Sequence, residues 1–530
     1  MNYLSRVVHG RMIGTLQTQP QPEKNQVKNS AGGYVYAIDP WERVDRFLIL
    51  GSEGGTYYAG ECTMTAENAK NLADRVREDG ARVVERIIEI STSGRAPKAD
   101  PAIFALAMCA GWGDEQTRGL ALSRGLQRVC RTGSHLLQFA SYVEQFRGWG
   151  RGLRRAIARW YDAKSVDDLA YQVLKYQNRY GWTHRDLLRV SHADTLDGTR
   201  NAIYRWAAGK GNAEQVRLID AYEQAKRMTG IDAAAMAAFV REHELPREAI
   251  PSEWLREAAV WDALLVQMPM TAMLRNLATM TRVGLLTPAS HATDVVLQRL
   301  GDGERLRNAR IHPVNVLTAL LTYASGRGVR GDNAWKPVNA IADALGEAFY
   351  ATFGNVPASD EPMLVGLDVS GSMGSGMVAG VPNLTPRMAT SAMALVHART
   401  EAKCEVMAFS ERFMPLKVGK NERLEQLVQR TQELPFMATD CALPMLYALE
   451  NRLRVSTFVI YTDNETWAGN VHADEALRRY RQWSGINAKL VVAGVTATGF
   501  TLADPNDAGM LDVVGFDSAT PNLIADFVRG

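Results

Sequence analysis

Residues 363–372 read MLVGLDVSGS, and this stretch decides the fold of the second part of the chain. Residues 363–369 are apolar or small except for Asp368 and show no alternation, as a strand covered on both faces does. Working outward, KCEVMAFS (403–410), VSTFVIYTD (455–463) and KLVVAGV (489–495) repeat the pattern. Helical text lies between them, in TPRMATSAMALVHARTEA (385–402) and DCALPMLYALENRLR (440–454). Short β-branched runs alternating with helices describe βαβ units, so residues 356–530 are expected to form an α/β, doubly wound, Rossmann-like domain. Ligands of such sheets sit at the carboxyl ends of the strands.

The polar residues at those ends form a set. Asp368, Ser370 and Ser372 alternate in the loop leaving the first strand, so one carboxylate and two hydroxyls can converge. Asp463 ends the third strand, and Thr439 precedes a helix with a further hydroxyl. Hard cations take oxygen donors of this kind and keep some waters. The set resembles the metal-ion-dependent adhesion site of von Willebrand A domains, in order and at all five positions. The resemblance implies a divalent cation, Mg2+ before Mn2+ or Ca2+, with an open position for a carboxylate from an acidic protein ligand. The blander reading is that Ser and Asp merely end strands and cap helices.

Enzyme readings fit less well. Gly371–Gly376 has Gly-x-x-Gly-x-Gly spacing, unlike a dinucleotide loop, and a phosphate loop would need a lysine. Metal-assisted hydrolysis needs a base beside an activated water. Glu465 and Asp440 are candidates, but no histidine accompanies the set. A non-enzyme is expected.

Upstream, the text changes. Residues 1–35 read as a polar arm, loose over 15–35. Residues 36–355 are mostly helical, with apolar residues three and four apart in AENAKNLADRVREDGARVVERIIEI and EQVRLIDAYEQAKRMTG. Successive amphipathic helices suggest a HEAT-like all-α helical repeat, although no fixed period is found. The 530 residues imply several domains, and no run of about 18 apolar residues predicts a membrane span. Five scattered cysteines and a poor signal peptide point to a reducing cytoplasm. The net charge of +2 divides into +6 over residues 1–360 and −4 over 361–530. That mild bias permits nucleic acid on the first part without demanding it.

Several stretches go beyond fold class. RFLILGSEGGTYY (46–58), KYQNRYGWTHRDLLRVSH (175–192), MPMTAMLRNLATMT (268–281) and ARIHPVNVLTALLTY (309–323) resemble the RNA-binding (TROVE) module of the Ro autoantigen family. MATDCALPM (437–445), YTDNETWAGNVH (461–472) and GFTLADPNDAGMLDVVGFD (499–517) resemble its second domain. The chain reads as a bacterial member. The resemblance implies a ring of helical repeats closed by the A-type domain. It implies Y RNA-like small RNAs on a basic outer surface, and single-stranded 3′ ends of misfolded RNA in a central hole. It also implies a non-catalytic scaffold in RNA quality control, a monomer associated with a 3′-exoribonuclease.

Residues 175–192 can also be read from physics. Tyr171–Tyr180 is expected to be one helix stopped by Gly181, with Lys175 and Arg179 four apart on one face. Thr183 and Asp186 form a capping-box pattern opening a second helix. There Arg185, Arg189 and His192 share a polar face opposite Leu187 and Leu188. Two such helices would offer phosphates a basic edge beside Trp182. The resemblance assigns Lys175, Arg179 and His192 to the Y RNA site; the alternative is a solvated helix face. Arg147–Arg155, a second basic run with Trp149, could bind phosphates or be plain surface. Arg275, Asn276 and His312 could line the hole, His312 equally a core or capping residue. Gly51–Thr56 is expected to form a tight turn.

Overall fold

The computed structural model describes residues 7–8, 11–12, 16–22, 24, 26–29, 31–37, 40–50, 69–93, 96, 99–228, 232–328, 333–356, 358–378, 381–419, 421–434, 438–463, 466–494, 500–504, 507, 509–514, 516 and 520–529. The expected turn at Gly51–Thr56 lies outside them. The chain divides into two compact units. One comprises Met64–Ile311 and Thr322–Ala348; the other comprises Met1–Thr63, His312–Leu321 and Phe349–Gly530.

The first unit is helical. Its early part contains α1 (Lys70–Ser93), α2 (Asp100–Trp112), α3 (Glu115–Leu120), α4 (Leu126–Val129), α5 (Gly133–Val143), α6 (Arg151–Asp162), α7 (Val166–Lys175) and α8 (His184–Ser191). Helix α2 has no polar stripe, and its residues 101–110 are all buried between α1 and α5, as an all-round apolar helix must be. Helix α6 is the opposite case. Leu153, Ala156, Ile157, Trp160 and Tyr161 face the core, and arginines fill the outer side. A single π-helical turn, Ala121–Gly125, separates α3 from α4.

The expected helix over 171–180 is shorter. Helix α7 ends at Lys175, and Asn178–Arg179 pairs antiparallel with Trp182–Thr183. Tyr180 and Gly181 turn this hairpin, both at positive φ (55° and 78°), the backbone that a two-residue hairpin turn of matching twist requires. Helix propensity loses here to a turn that the glycine makes affordable.

The second unit holds the expected parallel sheet. Its strands include β3 (Met363–Asp368), β4 (Cys404–Phe409), β5 (Phe413–Pro415), β6 (Thr457–Thr462), β7 (Lys489–Gly494) and β9 (Met510–Val514). They are arranged β9-β7-β6-β3-β4-β5, with only β5 antiparallel. Every residue of β3 and β6 is buried, which explains their unbroken apolar text. Leu364, Phe409, Phe458, Ile460, Leu490 and Tyr480 lie in the core on one side.

The polar arm is not loose. Within it, β1 (Gln26–Lys28) pairs with β2 (Tyr34–Ala37), and β2 pairs with β8 (Phe500–Thr501). Gln17 is buried against the sheet domain, Lys24 bridges Asp504 at 2.5 Å, and Tyr36 donates to Asp474 at 2.9 Å. Gly33 lies so close that a Cβ there would collide with the Thr466 carbonyl. Specific polar bonds hold the segment, so its polarity misreads as looseness.

Candidate metal centre and nucleic-acid interface

The register of the sheet assembles the oxygen donors. Leu367 of β3 pairs with Tyr461 of β6, and Asp368 pairs with Phe409 of β4, so three strands end together. Asp368 is 1% exposed; its Oδ1 accepts the Ser370 N–H at 2.8 Å, and its Oδ2 accepts the Thr462 hydroxyl at 2.7 Å. The hydroxyls of Ser370 and Ser372 lie 3.1 Å apart. Asp463, the residue after β6, is buried and close enough to act on Asp368 electrostatically. Burial first, then Asp463, push the Asp368 carboxyl up to about 7.

Thr439 is held beside these ends by backbone. Its carbonyl accepts N–H groups of Trp467 and Ala468, both at 3.0 Å, and the next N–H, of Asp440, donates to Ser410 just past β4 at 2.8 Å. Arg387 donates to the carbonyls of Val369 and Ser370 at 3.4 and 3.3 Å, bracing the loop from behind. Among the described residues no group of three or more His, Cys, Asp or Glu side chains is placed to hold a metal. The set instead comprises two buried carboxylates, Asp368 and Asp463, and the adjacent hydroxyls of Ser370 and Ser372, all oxygen donors of the kind a hard cation takes while retaining waters. Ser372 is exposed, so the set has an outward side.

Of the two candidate hydrolytic bases, Glu465 lies outside the described residues. Asp440 is engaged: its Oδ1 accepts Gln17 Nε2 at 2.8 Å and the Ala442 N–H at 3.0 Å. Thr462, Arg387 and Gln17 were missed at the level of sequence. Thr462 could have been found as the neighbour of Asp463; nothing links Gln17 to a site more than 400 residues away.

In the helical unit, Thr183 and Asp186 form the expected capping box at the start of α8. Arg185 and Arg189 lie one turn apart on its exposed face, with Leu187 and Leu188 buried behind. His192 is exposed but outside the helix, at its left-handed C-cap with φ 52°. Arg179 is exposed on the hairpin, its guanidinium 2.7 Å from the Asn178 carbonyl. Among the described residues Arg179, Arg185, Arg189 and His192 have no ion-pair partner.

Lys175 differs. Its ammonium lies 2.7 Å from Glu248 and 3.0 Å from the Tyr171 hydroxyl, over the rings of Tyr171 and Tyr176. Burial pulls its pKa down, but bonds to Glu248 and Tyr171 outweigh that and hold it above the usual lysine value. Lys175 is thus a half-buried internal ion pair. It does not share a helix face with Arg179, because the helix ends between them. His312 caps a helix, its Nδ1 accepting the Val314 N–H at 3.2 Å. Trp149 of the second basic run packs its ring 4.9 Å from that of Trp182.

A TROVE-domain model matches residues 27–244 and 242–320, and a Ro60 vWA-domain model matches 362–528. The RNA-binding protein RO60 of Deinococcus radiodurans is 44% identical over 520 residues, 97% of either chain. The protein of the same name from Caenorhabditis elegans is 35% identical, covering 99% of this chain and 93% of its own. The crystal structure of the Deinococcus radiodurans RO (RSR) protein matches with a TM-score of 0.76 and 43% identity, covering 93% of this chain and all of that one.

Proposed function

The chain belongs to the Ro family, with its TROVE and Ro60 vWA domains, and from this we propose how an RNA-binding scaffold of that family uses the surfaces described. Helix α8 and the hairpin before it contact the backbone of a small structured, Y RNA-like molecule. The observation that carries this is the group of exposed basic residues with no acidic partner among the described residues, Arg179, Arg185, Arg189 and His192. Unpaired guanidinium groups on a rigid helix suit phosphates, which position an RNA without reading its sequence. Lys175 contributes by holding the end of α7 in place.

The oxygen set Asp368, Ser370, Ser372, Thr439 and Asp463 holds a divalent cation, Mg2+ by its all-oxygen chemistry. A divalent cation bound by these residues would supply Lewis acidity toward a carboxylate, so an acidic protein segment is the partner class. The scaffold works in RNA quality control, alongside a 3′-exoribonuclease, as a cytoplasmic monomer without catalysis of its own. Cys109, Cys130, Cys404 and Cys441 are free thiols, which favours a reducing compartment. Among the described residues no helix is long and apolar enough to cross a membrane.

Fluorescence anisotropy with a labelled stem-loop RNA tests the first part. Binding should be salt-dependent and weakened by an Arg185→Ala/Arg189→Ala double variant; wild-type protein that binds no RNA at low salt would sink the reading. Mg2+ or Mn2+ should raise the melting temperature of the wild type and leave Asp368→Asn unmoved. Asp368-dependent cleavage of labelled RNA would replace the scaffold with a nuclease.

A further inference from the structure

We infer that the helical unit contains a second phosphate-binding site, a cleft between α3 and α6 that takes the phosphodiester backbone of RNA. It rests on the RNA-binding reading above and adds a place to it. The cleft has a volume of about 790 Å³ and is lined by four arginines from three segments: Arg118 on α3, Arg147 in the loop before α6, and Arg155 and Arg159 on α6. Glu115 is the only carboxylate among the described lining residues.

Four guanidinium groups around one concavity repel each other unless an anion is present, and a concave wall focuses their field outward. Arg155 and Arg159 have no ion-pair partner among the described residues. Arg147 donates to the Ala110 carbonyl at 2.8 Å, and its guanidinium is depressed first by burial and then by Arg118. Asp114, the acid beside Arg118, is already engaged as the N-cap of α3 through the Thr117 N–H at 2.8 Å. Buried Leu122 and half-buried Ala158 give the cleft an apolar portion, against which a ribose or base edge can rest. Leu122 and Ser123 come from the π-helical turn, a rare distortion that is frequent at functional sites.

The openness of the cleft selects the ligand. Arg118, Arg155 and Arg159 are exposed, whereas a small-molecule pocket encloses most of its ligand. A polymer that enters and leaves the concavity fits better. Its course is also marked: α6 packs on α8, which carries Arg185 and Arg189, and Trp149 after Arg147 meets Trp182 of the hairpin.

The test uses the full chain and a labelled stem-loop RNA with a single-stranded 3′ extension, titrated over a range of KCl. Arg155→Ala/Arg159→Ala changes exposed residues, so its thermal melt should match wild type. Its affinity should fall on the order of tenfold or more near 0.1 M salt, and its log–log salt slope should shallow by about 1.5, two contacts' worth. Arg155→Lys/Arg159→Lys should restore most of the slope. An unchanged slope in the alanine variant, while Arg185→Ala/Arg189→Ala weakens binding, overturns the cleft and leaves the RNA reading intact. Stabilisation of wild type but not the alanine variant by millimolar ATP or inorganic phosphate, with RNA affinity equal in both, would assign the cleft to free anions and overturn the proposal. Loss of all RNA binding by the wild type would remove both readings.

Discussion

Among the basic residues of 175–192, Lys175 differs in having an internal ion-pair partner, which it must release before its ammonium can serve a phosphate. Its charge is satisfied by Glu248 at 2.7 Å and its ammonium lies over two tyrosine rings. Releasing it toward RNA would leave the half-buried Glu248 carboxylate with the Tyr171 hydroxyl at 3.2 Å but without its ion-pair partner. Lys175→Ala should therefore lower stability, by about 1 kcal/mol after allowance for solvent at this partly exposed pair, with any loss of RNA affinity accompanying it. Arg185→Ala/Arg189→Ala should weaken RNA and leave the melt unchanged. Urea unfolding beside anisotropy separates the two; equal stability of Lys175→Ala and wild type would show the ion pair to be idle. Thr183→Ala removes one side of the capping box and should cost roughly 1 kcal/mol, visible in the same urea midpoint. These residues were partly legible in advance. Arg185, Arg189 and the capping box follow from spacing along one helix, whereas Glu248, 73 positions beyond Lys175, is brought there only by the fold.

At the scale of elements, four parallel strands were readable because burial on both faces leaves unbroken apolar text. The N-terminal segment was not. Its polar residues make bonds rather than a core: Gln17 donates to Asp440 at 2.8 Å and to the Val471 carbonyl at 2.9 Å, and accepts the Thr466 hydroxyl at 2.6 Å. Asp440 and Thr466 flank Thr439 in this network, because Thr466 also reaches the Thr439 carbonyl at 3.2 Å. On the proposed metal reading, Gln17 is thus a positioning residue for the loop that carries Thr439. Gln17→Ala leaves buried polar groups short of partners and should cost about 1–3 kcal/mol. It should also weaken Mn2+ binding followed by electron paramagnetic resonance, with Gln17→Glu failing to rescue beside Asp440. Mn2+ affinity equal to wild type in Gln17→Ala would refute the positioning role. The hairpin at 178–183 is the other misreading: a positive-φ pair can end a helix that propensity alone would continue.

For the molecule as a whole, three buried histidines set an acid limit. His184, His312 and His397 are each depressed to about 4 by burial, against an unfolded value near 6.5. The unfolded chain therefore binds more protons between those values, so stability is full above about pH 6.5 and falls as pH drops toward 4. Each contributes roughly 1.4 kcal/mol of loss per pH unit across that window. Asp368, raised to about 7, titrates with the opposite sign and offsets part of it. Urea midpoints between pH 7 and 4.5 should decline, and His397→Gln, which can keep a bond to the Tyr461 hydroxyl now 2.8 Å away, should flatten the decline; a pH-independent midpoint would contradict the assignment.

By itself the sequence determined the two fold classes, four of the parallel strands and the exposed arginines of α8. All of these are carried by short-range periodicity. Tertiary structure alone decided that Lys175 is paired internally, that the N-terminal segment belongs to the sheet domain, and that Arg118, Arg147, Arg155 and Arg159 share one cleft. The reason is physical: periodicity records which face of an element is buried, whereas the partner of a polar or charged group is chosen by distance in space, which no local pattern encodes.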